Sequence, residues 1–153
     1  MRRGDHQIYR TMSEVTIEIL RSITDEESRQ IASLVAQLSS KEIIPSRFND
    51  VVQSPNTQHF AARLDEQIVG VLVLAHYPTL TGRKAWIEDV VVDNAKRGAG
   101  IGRALVERAI AEAQAYGAAT IDLTSNPTRE AAHHLYRACG FEERATTPFR
   151  LKR

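Results

Sequence analysis

The 153-residue chain is 42% hydrophobic and 25% charged and has a formal net charge of +1, which is typical of one soluble domain with a sizeable core. The near-neutral charge argues against a general nucleic-acid binder, and no apolar run is long enough to span a membrane. A single cysteine excludes an intramolecular disulfide framework and, with no apolar leader at the amino terminus, favours a cytoplasmic protein.

The amino-terminal part predicts an extension followed by a strand and a helix. Residues 1–13 are expected to be a flexible extension, and residues 14–153 a single domain. Alternating apolar and polar side chains in residues 15–20 predict a half-buried strand. Thr24 and Glu27 have the spacing of a capping box, so a helix is expected to begin there.

The middle of the chain predicts a hairpin. A short helix and a loop are expected between Pro45 and Pro55. The segments QHFAARL and IVGVLVLAHY read as two strands joined at Asp65-Glu66-Gln67. The segment TLTGRK is then expected to be a loop, and AWIEDVVV the next strand.

The second half of the chain alternates helix and strand. Apolar residues recur at helical period from Ile101, and Gly117 is expected to end that helix. The segment ATIDL predicts a short strand. Asn126 and Pro127 are expected to open a further helix, which stops at Gly140. With FRLKR as a final strand, the elements predict an α/β fold with a mixed, mostly antiparallel sheet flanked by helices.

Glycines stand at positions 98, 100 and 102 in the segment VVVDNAKRGAGIG. The spacing fits neither a Walker loop nor a dinucleotide fingerprint, because Arg103 and Leu105 occupy the positions where those motifs need other residues. What remains is a strand that leads through a glycine turn into a helix N-terminus, where free N–H groups attract a phosphate. A tight structural turn would use the same glycines, so the residues leave both functions open.

The stretch RGAGIG fits the pattern Arg/Gln-x-x-Gly-x-Gly/Ala. The surrounding segment, IEDVVVDNAKRGAGIGRALVERAI, resembles the acetyl-CoA-binding core of the GNAT superfamily of N-acetyltransferases. A second block, LTSNPTREAAHHLYRACGF, is similar to the other signature of that superfamily, in the same order and at the same separation. The resemblance implies an acyl-CoA-dependent N-acetyltransferase whose sheet is splayed between its fourth and fifth strands.

The resemblance also implies a role for each matched position. The pyrophosphate of acetyl-CoA is expected on the backbone of the glycine loop, and the pantetheine arm along the preceding strand. The implied cofactor-binding residues are Val90, Val91, Val92, Arg97, Gly98, Ala99, Gly100, Ile101, Gly102, Arg103 and Asn126. Tyr136 matches the tyrosine that protonates the departing thiolate, whereas a half-buried core tyrosine is the structural alternative.

Two acids, Glu88 and Asp89, stand directly before the three valines. Acetyl transfer needs a neutral amine, so a carboxylate here would take a proton from the acceptor. Glu88 is expected to bind the amine and to act as the base, because several acetyltransferases of aminoglycosides and amino sugars carry an acid at this place. In an ideal strand Trp86, Glu88, Val90 and Val92 share one face and Asp89 points the other way, unless a bulge intervenes. Glu88, Asp89 and a water all remain open as the base.

The implied partners are acetyl-CoA as co-substrate and a small-molecule amine, as in bacterial small-amine acetyltransferases. No metal is expected, since His133 and His134 are adjacent on a helix and point in different directions. No nucleic-acid or membrane partner is expected, and a homodimer is left open. His76, Tyr77 and Trp86 either border the acceptor site or belong to the core. The alternatives are a non-catalytic acyl-CoA-binding sensor and an unrelated α/β nucleotide-binding module, and the identity of the acceptor amine is left open.

Overall fold

The computed structural model describes residues 14–153, and the extension predicted at residues 1–13 lies outside the described residues. The described chain contains two compact units, one that ends at Leu123 and one that runs from Thr124 to Arg153. The first unit holds a sheet and three α-helices, and the second holds one α-helix. None of these helices has both the length and the apolar composition needed to cross a membrane. That residues 14–153 act as a single domain stays a prediction.

The first unit is built on a five-stranded sheet in the order β1-β2-β3-β4-β5. Strands β1 to β4 pair as antiparallel neighbours, whereas β4 and β5 run parallel. This is the mixed, mostly antiparallel sheet that the sequence predicted. The strands are β1 (Thr16–Leu20), β2 (Thr57–Leu64), β3 (Gln67–Thr79), β4 (Gly82–Val92) and β5 (Ala118–Asp122).

Helix α1 (Asp25–Ala36) begins at the predicted capping box. The Glu27 N–H donates to the Thr24 hydroxyl oxygen over 3.1 Å, and the Thr24 N–H donates to the Glu27 carboxylate over 3.0 Å. The box satisfies donors that have no intrahelical acceptor, and the acidic first turn suits the positive end of the helix dipole. Local sequence therefore sets the start of this helix.

Helices cover both faces of the sheet. Helix α1 and helix α2 (Ser46–Gln53) pack on one face, where the core consists of Leu20, Ile31, Leu34, Phe48, Ala61, Ile68, Val71 and Val91. Helix α3 (Ile101–Tyr116) covers the other face and passes so close to Gly70 that a Cβ atom there would lie 3.0 Å from Leu105 Cδ1. Strand β3 is consequently buried on both faces along most of its length, which explains its nearly continuous apolar sequence.

The hairpin between β3 and β4 is longer than predicted. Most of residues 79–84, which the sequence assigned to a loop, belong to strands, since β3 runs to Thr79 and β4 starts at Gly82. Thr79 and Gly82 are paired, and the Thr79 hydroxyl donates to the Gly82 carbonyl over 2.7 Å. The loop prediction is wrong outside the turn at Leu80 and Thr81, because cross-strand hydrogen bonds, rather than apolar content, hold these polar strand ends.

In the second unit, helix α4 (Glu130–Ala138) begins later than predicted. The side-chain oxygen of Asn126 accepts hydrogen bonds from the N–H and the hydroxyl of Thr128, at 3.0 and 2.8 Å. The N-cap is Arg129, which makes no side-chain capping bond. The prediction that Asn126 and Pro127 open the helix is wrong, because the asparagine closes a local turn instead.

The end of α4 agrees with its prediction at Gly140, which has a left-handed φ of 97°. The Gly140 N–H donates to the Arg137 carbonyl and the Phe141 N–H to the Tyr136 carbonyl, each over 3.0 Å. These two bonds form a Schellman motif, whose usual apolar contact is present between the rings of Phe141 and Tyr136, 6.1 Å apart.

The final strand predicted for FRLKR is wrong. Residues 149–153 form no regular secondary structure, and the side chains of Phe149 and Leu151 are exposed. An alternating apolar pattern becomes a strand only when another strand accepts its hydrogen bonds, and no strand of the described chain pairs with this segment.

Candidate active site

The pairing of β4 with β5 stops partway along β4, at the end of β5. Their pairing begins at Arg83 and ends at Trp86, which lies opposite Asp122. Strand β4 continues to Val92, so within the described sheet its last residues pair with β3 alone. The splay that the resemblance implied between the fourth and fifth strands is therefore confirmed.

The free edge of β4 carries a backbone donor. The Asp93 N–H donates to the Val69 carbonyl of β3 over 2.8 Å. Because neighbouring residues of a regular strand point their N–H groups to opposite edges, the N–H group of Val92 is directed away from β3. The open edge thus offers a donor to an extended or carbonyl-bearing ligand.

Strand β4 contains a bulge beside the two acids. Val71 of β3 pairs with Val91, but Val73 pairs with Glu88, so β4 carries one extra residue in this interval. Asp89 lies in the bulge with a left-handed φ of 51°.

The bulge corrects the expected register of the strand. Glu88 shares a face with Trp86, as predicted, and also with Val91, because all three pair with residues of one face of β3. Val92 pairs with Gly70 on the opposite face, which α3 covers. The prediction that Glu88 and Val92 share a face is therefore wrong.

The Glu88 carboxylate is solvent-exposed and more basic than an ordinary glutamate. Partial desolvation by the surrounding sheet raises the pKa of Glu88, and the negative charge of Asp89 raises it further. A carboxylate whose pKa is moved toward neutrality is a better proton acceptor at physiological pH. The two acids lie next to the open edge of β4, so a proton acceptor is present at that edge.

His59 is a buried member of the same face that sequence reasoning missed. His59 pairs with Val73 of β3, and Val73 pairs with Glu88 of β4. The three residues therefore form one row across β2, β3 and β4. Burial lowers the pKa of His59, against smaller opposing effects from the Phe60 carbonyl and the charge of Asp89. The imidazole Nδ1 lies 3.3 Å from the Phe60 carbonyl oxygen, which only accepts, so Nδ1 carries the proton in that contact. Only the strand register reveals that this neutral histidine lies near the acids.

The three residues that the sequence placed either at an acceptor site or in the core divide between the two faces. Trp86 and Tyr77 lie on the face of Glu88, and the Trp86 indole N–H donates to the Tyr77 hydroxyl over 3.0 Å. His76 points to the other face, where its ring lies 4.3 Å from that of Tyr116.

The glycine loop leads from β4 into α3. Gly98 and Gly100 have left-handed φ values of 86° and 79°, and among the described residues a Cβ atom at either would meet no atom within 4 Å beyond its chain neighbours. Glycine is thus required by backbone angle, while the space above the loop is open. Gly102 lies in the first turn of α3 and is not among the glycines with a positive φ, so its backbone conformation does not require glycine.

The N-terminus of α3 is suited to an anion. The helix has no side-chain cap and no acid in its first turn. Its first intrahelical bond is donated by the Ala104 N–H to the Gly100 carbonyl, so the preceding N–H groups lack an intrahelical acceptor. The Ile101 side chain is buried, whereas the Arg103 guanidinium bonds Glu107 over 2.8 Å. Backbone donors and the helix dipole, more than arginine charge, make this end attractive to a phosphate.

The second unit holds the remaining two predicted residues. Asn126 is exposed and its side-chain oxygen is occupied by Thr128. Tyr136 is buried on α4, and burial raises the pKa of its phenol against a smaller opposing effect from Arg129. The phenol is therefore protonated at neutral pH and able to donate a proton. Nowhere in residues 14–153 do three or more His, Cys, Asp or Glu side chains stand together as a metal site would require.

Comparison with known proteins gives one consistent result. Residues 20–141 match the model of the acetyltransferase (GNAT) family. The chain is 28% identical over 133 residues to an aminoalkylphosphonate N-acetyltransferase from Salmonella typhimurium, covering 81% of this chain and 84% of the relative. A protein from Agrobacterium tumefaciens assigned as an acetyltransferase is 26% identical, with a TM-score of 0.77 over 90% of this chain and 99% of its own. AAC(6')-Iy in complex with the bisubstrate analogue CoA-S-monomethyl-acetylneamine shares the fold, at 18% identity and a TM-score of 0.76, over 92% and 99% of the two chains.

Proposed function

The chain belongs to the GNAT family of acetyltransferases, and from that premise we propose that it transfers an acetyl group from acetyl-CoA to the primary amine of a small molecule. Transfer is direct, in a ternary complex. The observation that carries this proposal is the splay of β4 from β5 next to a left-handed glycine loop. The Salmonella relative, by its name an N-acetyltransferase of a small amine, supports the choice of acceptor.

The glycine loop is the proposed pyrophosphate site. Backbone N–H groups between Arg97 and Arg103, including that of Ala99, surround the phosphates, and the α3 dipole favours their charge. The pantetheine arm lies along the free edge of Val90–Val92, where the outward N–H group of Val92 suits an amide carbonyl of the arm. Asn126 is the remaining proposed cofactor-binding residue.

The glycine loop supplies a first prediction, for the variant Gly100→Val. Acetyl-CoA affinity is expected to fall at least about tenfold, or about 1.4 kcal/mol, because a branched side chain would occupy the space where the phosphates approach the backbone. Isothermal titration calorimetry measures the change.

The matched control is Gly117→Val at the other end of α3. Gly117 has the same left-handed conformation, with a φ of 86°, so valine strains both positions alike. When the two variants have equal thermal stability, only Gly100→Val should have a lower affinity for acetyl-CoA. An unchanged affinity in folded Gly100→Val protein would contradict the loop assignment.

The chain's own groups then serve each step of the reaction. Acetyl-CoA supplies the acetyl group as a thioester. Glu88 accepts the proton of the ammonium, so that the nitrogen lone pair can attack the carbonyl carbon. The Val90 N–H donates to the carbonyl oxygen as negative charge develops there. Tyr136 donates its proton to the sulfur as the carbon–sulfur bond breaks, and the nitrogen gives up its second proton, which returns to the Tyr136 oxygen through solvent. The products are a neutral amide and free coenzyme A.

The test is release of coenzyme A against a panel of primary amines, with calorimetric titration of acetyl-CoA beside it. We expect saturable acetyl-CoA binding and thiol release that requires an amine. A non-catalytic acyl-CoA sensor would bind acetyl-CoA and release no thiol with any amine. An unrelated nucleotide-binding module would show neither response.

A further inference from the structure

The face of the sheet that carries Glu88 also carries an aromatic pair. Pairing registers place Trp86 beside Ala75, and Tyr77 beside Lys84, on the same face as Glu88. The hydrogen bond from the Trp86 indole N–H to the Tyr77 hydroxyl, 3.0 Å long, holds the two side chains together. Tyr77 is 38% exposed and Trp86 is partly exposed, so this pair presents aromatic surface rather than filling the core.

Short apolar side chains lie on β3 at the level of the aromatic pair and the acid. Val73 and Ala75 of β3 lie between β2 and β4 at this level, and neither side chain is long. Glu88 follows Trp86 by two residues, which is ~7 Å along a strand. A short alkyl spacer is therefore long enough to join a ring packed on Trp86 to an amine at Glu88.

The charges along the face limit what fits it. Glu88 and Asp89 provide negative charge at one end, and Lys84 provides positive charge at the other. Lys84 lies four residues from Glu88, or ~13 Å. A polyamine bound at Glu88 would direct a further ammonium toward Lys84. A short aminoalkylphosphonate, although its anion would be attracted by Lys84, has no ring to pack on the aromatic pair.

Resting on the proposed transferase function, we propose that the acceptor is a monoamine carried on an aromatic group. The ring packs on Trp86 and Tyr77, and the ammonium lies at Glu88. Aromatic pairs add stabilisation beyond the area they bury, and a cation gains further from a nearby ring face. The structure therefore favours an arylalkylamine over a polyamine or an aminoalkylphosphonate.

The chain offers a direct probe, because Trp86 is its one tryptophan. With acetyl-CoA replaced by coenzyme A, 2-phenylethylamine should change the Trp86 fluorescence in a saturable manner, whereas 2-aminoethylphosphonate and 1,4-diaminobutane should not. In steady-state assays kcat/KM for 2-phenylethylamine should exceed that for either of the other amines by at least about tenfold.

Variants separate a binding role from a structural one. Trp86→Leu should lower kcat/KM for 2-phenylethylamine about tenfold with the KM of acetyl-CoA unchanged, and Trp86→Phe should restore most of the loss because it keeps a ring. Leu80→Ala, at the exposed tip of the same hairpin, is the control and should change neither constant.

The possible failures are distinguishable. Efficient acetylation of the diamine or the phosphonate, with no fluorescence response to 2-phenylethylamine, would overturn the aromatic acceptor and leave the transferase intact. Equal losses for all amines in Trp86→Leu would likewise reduce the pair to a structural role. A fluorescence response without acetylation of any amine would support the aromatic site and overturn the transferase.

Discussion

Replacing Tyr136 with phenylalanine is expected to lower turnover by roughly 10²-fold while acetyl-CoA affinity stays near normal. The change keeps the ring that packs edge-on against Phe141 and removes only the hydroxyl. Because burial raises the pKa of the Tyr136 phenol, the wild-type group is protonated at neutral pH. Without it, the sulfur of coenzyme A must leave as an unprotonated thiolate.

Tyr116→Phe is the matched control for this prediction. The Tyr116 ring packs against His76 at the C-terminal end of α3, away from the glycine loop, so turnover should stay near wild type. Turnover is measured by coenzyme A release and affinity by calorimetry. Equal losses of affinity and turnover in Tyr136→Phe would make the hydroxyl a positioning contact, and no loss in either would return Tyr136 to a purely structural role.

The second large effect is expected for Glu88→Gln, which should lower saturated turnover at neutral pH by about 10²-fold or more. Glutamine preserves the size and most of the hydrogen bonding of the side chain but cannot accept the proton. Raising the pH should recover much of the loss, because a larger fraction of the amine is then already neutral. The measurement is kcat as a function of pH with the acceptor at saturation.

The dependence of wild-type turnover on pH should also reflect the ionisation of Glu88. Desolvation, followed by the charge of Asp89, raises the pKa of Glu88, and the residue accepts a proton only when ionised. Turnover should therefore fall as the pH falls through a value above that of an ordinary glutamate. Glu88→Gln should lose this acidic limb.

Asp89→Asn distinguishes the two acids. Asparagine tolerates the left-handed conformation that Asp89 has in the bulge, so the change removes charge with little backbone strain. A raised KM for the amine at unchanged kcat in Glu88→Gln would limit Glu88 to docking the ammonium. If Asp89→Asn is damaging and Glu88→Gln harmless, the catalytic carboxylate is Asp89.

Several elements were predictable because their signals are local. The capping box of Thr24 and Glu27 begins α1 because it satisfies backbone N–H groups that have no intrahelical acceptor. Gly117 ends α3 because glycine readily adopts the left-handed conformation found at this C-cap. The left-handed Gly98 and Gly100 likewise belong to a turn that sequence spacing predicts. The family and the splayed sheet were implied by the resemblance of two sequence blocks, in the correct order, to the GNAT signatures.

The site depended on tertiary structure wherever pairing between distant strands decides the outcome. The extra residue at Asp89 changes which valine shares a face with Glu88, and no property of the residues 88–92 by themselves locates that bulge. His59 reaches the level of Glu88 only through its pairing with Val73, across two strands. Register is set by packing over the whole sheet, so it is absent from any short window of sequence.

Competition between local and non-local bonds explains the remaining differences. Asn126 is a residue type that often caps helices, but its side chain bonds Thr128 and closes a local turn. Helix α4 therefore begins only at Glu130. The segment at 149–153 has the alternation of a strand without a paired neighbour among the described residues. By itself, the sequence determined which short segments are able to form helices, strands and an anion-binding turn. Only the tertiary structure decided which of those options is realised and which side chains meet, because those outcomes depend on hydrogen-bond partners far away in the chain.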